Sequence, residues 1–353
     1  LMKTTIASSS GYSYQYKNMG QTSNKGVELQ LDAIVVDAKD FGLNFNFNIS
    51  YNRGKIDKLN GSSFWQSSSW AGTAAAGIED FLVEEGGRLG EVYGYKTDGF
   101  YTANDFTFDA EKGTYALKEG VNDCSSLIGG KVYPGSIKLK ANEDGEYKKE
   151  RLGNTVPTVS GGFGLNARWK GFDFTAFFNY SLGNKIVNAT KLGSSFYSGS
   201  SKNWNINDHF TSASRYSWID SSTGTNLLSS ASIKANGEAW TINRLNEINS
   251  NASIWNPAAA TVMPLVDWAV EDGSFLRVNN ITIGYTLPKL LVNKLNIQNI
   301  RIYVTGYNLH CFTKYSGTDP EVDCCTSTPM TPGIDYAAYP KSRSFVGGIN
   351  VTF

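Results

Sequence analysis

Residues 41–52 read FGLNFNFNISYN, and the stretch alternates without error. Phe41, Leu43, Phe45, Phe47, Ile49 and Tyr51 are large and apolar, whereas Gly42, Asn44, Asn46, Asn48, Ser50 and Asn52 are small or polar. A period of two sends successive side chains to opposite faces of a β-strand, so this segment is a strand with one apolar and one polar face. Its length narrows the choice further. Ten residue steps cover roughly 33 Å along a strand, whereas strands in soluble proteins average about five or six residues. Tilted by about 45°, such a strand spans roughly 23 Å, close to the apolar band of about 25 Å on a membrane β-barrel. The alternative is a soluble β-sandwich whose apolar face is its core.

The pattern recurs. Seven segments read as long strands: 26–36, 40–52, 158–169, 171–182, 274–287, 299–311 and 344–353. FDFTAFFNYSLGNKI (172–186) repeats the logic of 41–56, with Phe172, Phe174, Ala176, Phe178 and Tyr180 on one face and Phe177 interrupting the other. The connections are unequal. Residues 37–40, 169–171 and 288–298 are short turns; residues 55–157, 183–269 and 313–342 are long connections rich in Ser, Asn, Gly and aromatics. Loops this long are uncommon in compact soluble domains. Short turns at one rim and long loops at the other are what outer-membrane barrels show. RLGEVYGYKTDGFY (88–101) reads as local strand structure within the first long connection.

Composition agrees with this reading and removes others. Charged residues make up 18% of the 353 residues, against about 25% in ordinary globular domains. Lys plus Arg and Asp plus Glu each number 32, so the basic field that nucleic acid requires is missing. No apolar run approaches the roughly 18 residues of a transmembrane helix. Alternate-residue hydrophobicity lets a barrel keep a mean hydropathy of −0.30, because only every second residue faces lipid.

No constellation of catalytic type stands out. The two histidines, His209 and His310, fall in NWNINDHF and NLHCF, without a Gly-x-Ser-x-Gly elbow or a metal-ligand His pair. The chain is therefore expected to be neither an enzyme nor dependent on a cofactor or metal. Asp319, Glu321 and Asp323 in TDPEVD supply carboxylates for a cation, but a solvated loop is the plainer reading. The cysteines are Cys124, Cys311, Cys324 and Cys325. In an oxidising compartment Cys311 with either Cys324 or Cys325 would close a local loop; zinc-site spacing is absent. Candidate ligand contacts are Phe64, Trp65 and Trp70 in GSSFWQSSSWAG, and Trp204 and Trp218, which bracket NINDHFTSASRYS. Flat aromatics beside small hydrogen-bonding groups suit sugar rings or extended peptides. The alternatives are that they pack the loops into a rigid rim or form a protein interface.

Several blocks carry a family resemblance when taken in order. NMGQTSNKGVELQL (18–31), GRLGEVYGYKTDGFY (87–101), VEDGSFLRVNNITIGYTLP (270–288), VTGYNLHCFTKYSGTDPEV (304–322) and YPKSRSFVGGINVTF (339–353) resemble SusC/RagA-type TonB-dependent outer-membrane transporters. The resemblance spans nearly the whole chain and implies the following expectations. The fold is all-β, the C-terminal portion of a large antiparallel transmembrane barrel of about 22 strands, with long extracellular loops and short periplasmic turns. Residues 1–353 form one barrel segment. The N-terminal LMKTTIASSSGYSYQYKNMG lacks the apolar core of a signal peptide, and the signal peptide, TonB-contacting segment, plug and remaining barrel strands are expected upstream. The function is nutrient import across a Gram-negative outer membrane, of an oligosaccharide or peptide, with a SusD-like surface lipoprotein, TonB and the lipid bilayer as partners. The alternatives are an outer-membrane enzyme barrel and a soluble carbohydrate-binding sandwich. Phe345, Ile349, Val351 and Phe353 at the C-terminus resemble the signal read by the barrel-assembly machinery. One block departs from the family. Where members often carry a calcium-like Asp-x-Asn-x-Asp-Gly loop, this chain has Lys140 and Arg151 at ligand positions, which argues against bound calcium.

Overall fold

The computed structural model describes residues 2–18, 20–59, 63–66, 79–197, 205–292, 297–324 and 330–353. Its dominant feature is one sheet of seven long antiparallel strands: β1 (Gly20–Asp37), β2 (Phe41–Leu59), β3 (Val159–Trp169), β4 (Phe172–Leu182), β5 (Phe275–Thr286), β6 (Asn299–Thr313) and β7 (Ser344–Thr352). Each strand pairs with its neighbours in chain order, so the sheet is a continuous meander from β1 to β7. All seven expected strands are present.

Short turns set the pairing. Lys170 and Gly171 connect β3 to β4 with φ of +45° and +91°, the left-handed pair whose twist matches a two-residue hairpin. The Lys170 amide donates to the Asp40 carbonyl at 3.1 Å and the Thr286 amide to Gly171 at 2.8 Å. Arg168 pairs with Asp37 across the same rim, and the Gln298 amide reaches Thr352 at 2.8 Å. The three turns and the C-terminal strand end thus form one edge of the sheet.

The register keeps the apolar residues together. Phe47 lies between Leu31 and Phe163, Phe45 between Ala33 and Leu165, and Leu43 between Val36 and Ala167. Where a strand's alternation slips, the sheet inserts a bulge. In β5 the apolar positions are Leu276 and Val278, then Ile281, Ile283 and Tyr285. Phe177 pairs with Asn280 and Phe178 with Val278, leaving Asn279 extra. That added residue restores the phase and keeps both halves on one face. On β6 the matching irregularity contains Asn308 at φ +51°.

At the opposite edge the long connections do not hang as loops. They fold together into a packed outer body whose core includes Phe81, Tyr101, Phe106, Leu192, Tyr216 and Trp255. It contains a four-stranded sheet built from 64–66, 81–83, 91–94 and 150–154, and a three-stranded sheet built from 185–188, 270–272 and 334–335. The strands Glu91–Gly94 and Thr97–Phe100 occupy the segment expected to hold local strand structure. Sequence reading did not foresee the helix α1 (Ser230–Ile248), which is capped by Ser229 and broken inside by Gly237 at φ +75°. Strand β2 runs past the apolar band into this body. The Ile56 side chain is buried there, and its amide and carbonyl bond Gly87 and Gly86.

Candidate functional site

The two faces of the sheet differ in chemistry and in exposure. One face carries the alternating apolar residues, and many are open: Val27 is 71% exposed, Leu29 58%, Ile283 51% and Phe345 69%. This is a contiguous apolar surface on a folded chain, and such surfaces mark contact with lipid or protein. Aromatics border it. Toward the short turns Trp169 stacks on Phe172 and Phe172 packs on Tyr285, at ring separations of 6.3 and 4.5 Å. Toward the outer body lie Tyr51 and Tyr180, stacked through Phe47 at 6.5 Å in the case of Tyr180.

The other face is polar and internally bonded. Asn48 Oδ1 accepts from the Gly162 amide at 3.0 Å, Thr175 donates to Asn166 at 3.1 Å, and the Thr282 and Thr305 hydroxyls meet at 2.8 Å. Arg301 Nε donates to Asp173 Oδ1 at 2.8 Å across β5. Gly284 makes this possible, because a Cβ there would lie 2.4 Å from the Asp173 carboxylate.

The polar face meets the outer body through one buried ion cluster. Arg277 on β5 is 4% exposed; its Nη2 reaches Asp319 at 2.6 Å and its Nε reaches Glu321 at 2.6 Å. Lys341 closes on Glu321 at 2.7 Å, and Asp319 is itself buried. This corrects the reading of TDPEVD: its acidic pair is neither a solvated loop nor a cation site, because Arg277 and Lys341 occupy it. Burying these charges is tolerable only with such pairing. Sequence reasoning passed over Arg277, although a lone arginine in the polar phase of an apolar strand requires a partner.

Two further ion pairs brace the body. Arg244 of α1 forks onto Asp220 at 2.6 and 2.9 Å. Its hydrogen bonds, joined by two from Ser222, hold the Asp220 carboxyl well below the usual carboxylate range. Lys191 is buried, lies 3.1 Å from Glu271 and sits over the Trp268 ring at 4.1 Å. Burial alone would raise the Glu271 carboxyl, but hydrogen bonds from Ser316 and the Lys191 charge prevail and lower it. A depressed folded-state value contributes stability above the ordinary carboxylate range of about 4 and loses it as pH falls through the folded value. Acid should therefore loosen the body below about pH 4, and Arg244→Met should flatten that acid limb. Tryptophan fluorescence against pH checks this; identical acid profiles would remove the Asp220 contribution.

The sequence-predicted site residues are spread apart. Trp65, on the strand Phe64–Gln66, is partly exposed, lies edge-on to Tyr93 at 5.6 Å and has Lys149 Nζ 4.9 Å above its ring. Trp218 braces the core, donating to the Pro134 carbonyl at 2.5 Å and packing on Tyr133. Trp70 and Trp204 lie outside the described residues. Phe345, Ile349 and Val351 share the apolar face with Gly306, Ile302 and Ile300, and Phe353 follows β7 fully exposed. Of the two bridges considered for Cys311, the one to Cys324 is not formed. Cys311 sits on β6 opposite Arg277, whereas the Cys324 backbone bonds Ile334 in the body; Cys325 is outside the described residues. In the departing block, Asn142 Oδ1 accepts from the Asp144 and Glu146 amides and so closes a turn. Among the described residues no cluster of His, Cys, Asp and Glu is placed to hold a metal. The body also contains a polar recess of about 360 Å³, lined by Asn188, Thr190, Asp208, His209, Thr318 and Asp335 among others. Neither the helix nor this recess was anticipated.

No protein-family model matches the chain. Curated relatives do. It is 29% identical to TonB-dependent receptor P3 of Formosa agariphila, over 98% of this chain and 30% of that receptor. It is 23% identical to TonB-dependent receptor SusC of Bacteroides thetaiotaomicron, over 96% of this chain and 27% of that receptor. The chain resembles SusC/RagA-type TonB-dependent receptors along its whole length. Among solved structures, that of the RagAB peptide transporter superposes with a TM-score of 0.63 at 22% identity, covering 100% of this chain and 31% of the other. The same transporter in its open-open state gives 0.62. These matches show the fold of a SusC/RagA-like barrel segment, and the chain spans about a third of the length of the relatives it matches. The relatives are named as receptors and transporters, in keeping with a non-enzymatic chain. Among the described residues no helix is long and apolar enough to cross a membrane, which says nothing of strands.

Proposed function

We propose that the chain is a wall sector and outer body of a TonB-dependent importer in a Gram-negative outer membrane. The observation that carries this reading is the two-faced meander. Its apolar face is exposed over seven consecutive strands, and all its long connections leave from one edge. In water that face would need a partner; in a bilayer it is the lipid surface. The polar face then lines the lumen around a plug supplied by upstream residues, and the open edges of β1 and β7 pair with further barrel strands, since lipid does not tolerate unpaired backbone. The outer body faces outside and meets a SusD-like lipoprotein. The substrate is an oligosaccharide or a peptide: the solved RagAB structures are of a peptide transporter, and flat aromatics beside small hydrogen-bonding groups suit either ligand. For ligand contact the exposed Trp65 ranks ahead of Trp218, whose indole is committed to the core.

The orientation is tested on intact cells with a membrane-impermeant maleimide. With the native cysteines replaced by Ser, a cysteine replacing Glu111, on the outer body, should be labelled on intact cells. A cysteine replacing Lys170, in a short turn, should be labelled only after lysis. The opposite pattern would invert the assignment, and labelling of neither in the membrane fraction would remove it.

The C-terminal residues give a separate expectation. Replacing Phe353 with Asp should lower the folded barrel in the outer membrane several-fold with unchanged transcript, because the terminal aromatic continues the apolar row Phe345, Ile349 and Val351. Heat-modifiability on gels reads the folded fraction; wild-type levels would reduce Phe353 to an ordinary strand end.

A further inference from the structure

One cavity opens on the apolar side of the sheet, near its outer edge. Phe163 of β3, Tyr180 and Leu182 of β4, Leu276 of β5 and Phe312 of β6 line a slot of about 590 Å³, within the roughly 300–1,000 Å³ of small-molecule clefts. The slot exists because Tyr180 leaves its own row. Its ring crosses β3 over Gly161, and its hydroxyl donates to the Asn48 carbonyl on β2 at 3.0 Å. Gly161 permits the crossing, since a Cβ there would lie 2.6 Å from the Tyr180 oxygen. On the far flank Phe312 turns toward His310, with rings 4.4 Å apart. Stacked Phe163 and Phe178 close the lower end.

The upper end is polar. Asp272, Ser274, Thr313 and Lys314 form its rim, and Lys185 is the cross-strand partner of Asp272. Lys314 is the ammonium group on the rim, and Lys185, whose stem lies over Gly153, stands behind Asp272 and offsets its charge. The order is therefore an apolar slot continuous with the exposed band of the sheet, capped by a basic group where the band ends.

We propose that the slot seats an acyl chain of a phosphate-bearing lipid, with Lys314 on the rim facing the phosphate. This rests on the membrane reading above and adds to it a preferred lipid at a defined place. The apolar walls match a hydrocarbon chain, and the basic rim matches an anionic headgroup at the depth where strands give way to the outer body.

The test uses the full-length protein in phosphatidylcholine vesicles doped with diazirine-acyl phosphatidylglycerol or diazirine-acyl phosphatidylcholine. Photocrosslinks are mapped by mass spectrometry. Crosslinks at Leu276 and Phe312 should favour phosphatidylglycerol about fivefold, the effect of one basic residue near an anionic lipid surface. Crosslinks at Leu29 and Phe45 should show no preference. Lys314→Glu should abolish the preference at the slot while leaving the folded fraction unchanged. Equal labelling by both lipids at the slot, an unchanged preference in Lys314→Glu, or a slot shielded by another protein chain would overturn the proposal while the membrane reading stands. Absence of acyl crosslinks along the whole apolar face would instead overturn the membrane reading.

Discussion

Arg277→Ala is expected to destabilise the junction between wall and outer body by about 3–5 kcal/mol, the cost of leaving buried charge unpaired. The Arg277 side chain is 5% exposed and that of Asp319 4%, so water cannot take over the lost contacts. Glu321 keeps Lys341 at 2.7 Å and would be affected less. Removing the whole buried pair should be much milder. In Arg277→Met with Asp319→Leu no uncompensated charge remains, and well-packed apolar replacements of buried pairs are often neutral. Denaturant unfolding of protein refolded into vesicles gives both values. A loss below about 1 kcal/mol in Arg277→Ala would place the cluster with solvent-exposed pairs and contradict the burial described here.

A larger contrast is expected inside the wall. Phe45 is near the middle of the apolar band, between Ala33 and Leu165. Phe45→Arg should cost about 2–4 kcal/mol, the range for a cation at the midplane on the lipid face of a barrel. Its neighbour Asn46 points to the polar side, opposite Gly164 and Asp32. Asn46→Arg should be far milder, because it adds a charge to the lumen. Equal losses of folded barrel in the two variants would contradict the facing of β2.

How much of this was legible depended on local periodicity. The strands β2 and β3 alternate cleanly and β4 does so but for Phe177, and their ends fell within a residue or two of those read from sequence at the turns. The outer ends of β1 and β2 did not. Alternation stops at Tyr51, yet β2 continues to Leu59, because β1 still supplies ladder bonds and Ile56 finds a pocket in the body. In β5 the slip between Val278 and Ile281 was a visible sign of the bulge that the structure contains. The outer body was not readable in the same way. Its core joins short segments more than a hundred residues apart, such as Phe81, Leu192 and Ile334, and no single segment has a period long enough to announce it. The site divides along the same line. The apolar terminal row was visible as a pattern, while the partnership of Arg277 with Asp319 and Glu321 depends on a fold that brings residues 42 and 44 positions apart into contact.

The most direct test of the central claim is a cysteine ladder along residues 43–50 in the full-length protein in membranes, spin-labelled singly and read by power saturation. The account predicts a period of two. Labels at 43, 45, 47 and 49 should collide with oxygen dissolved in lipid, and labels at 44, 46, 48 and 50 with a water-soluble nickel reagent. Uniform access to the nickel reagent at every position, or protection from both reagents throughout, would contradict it.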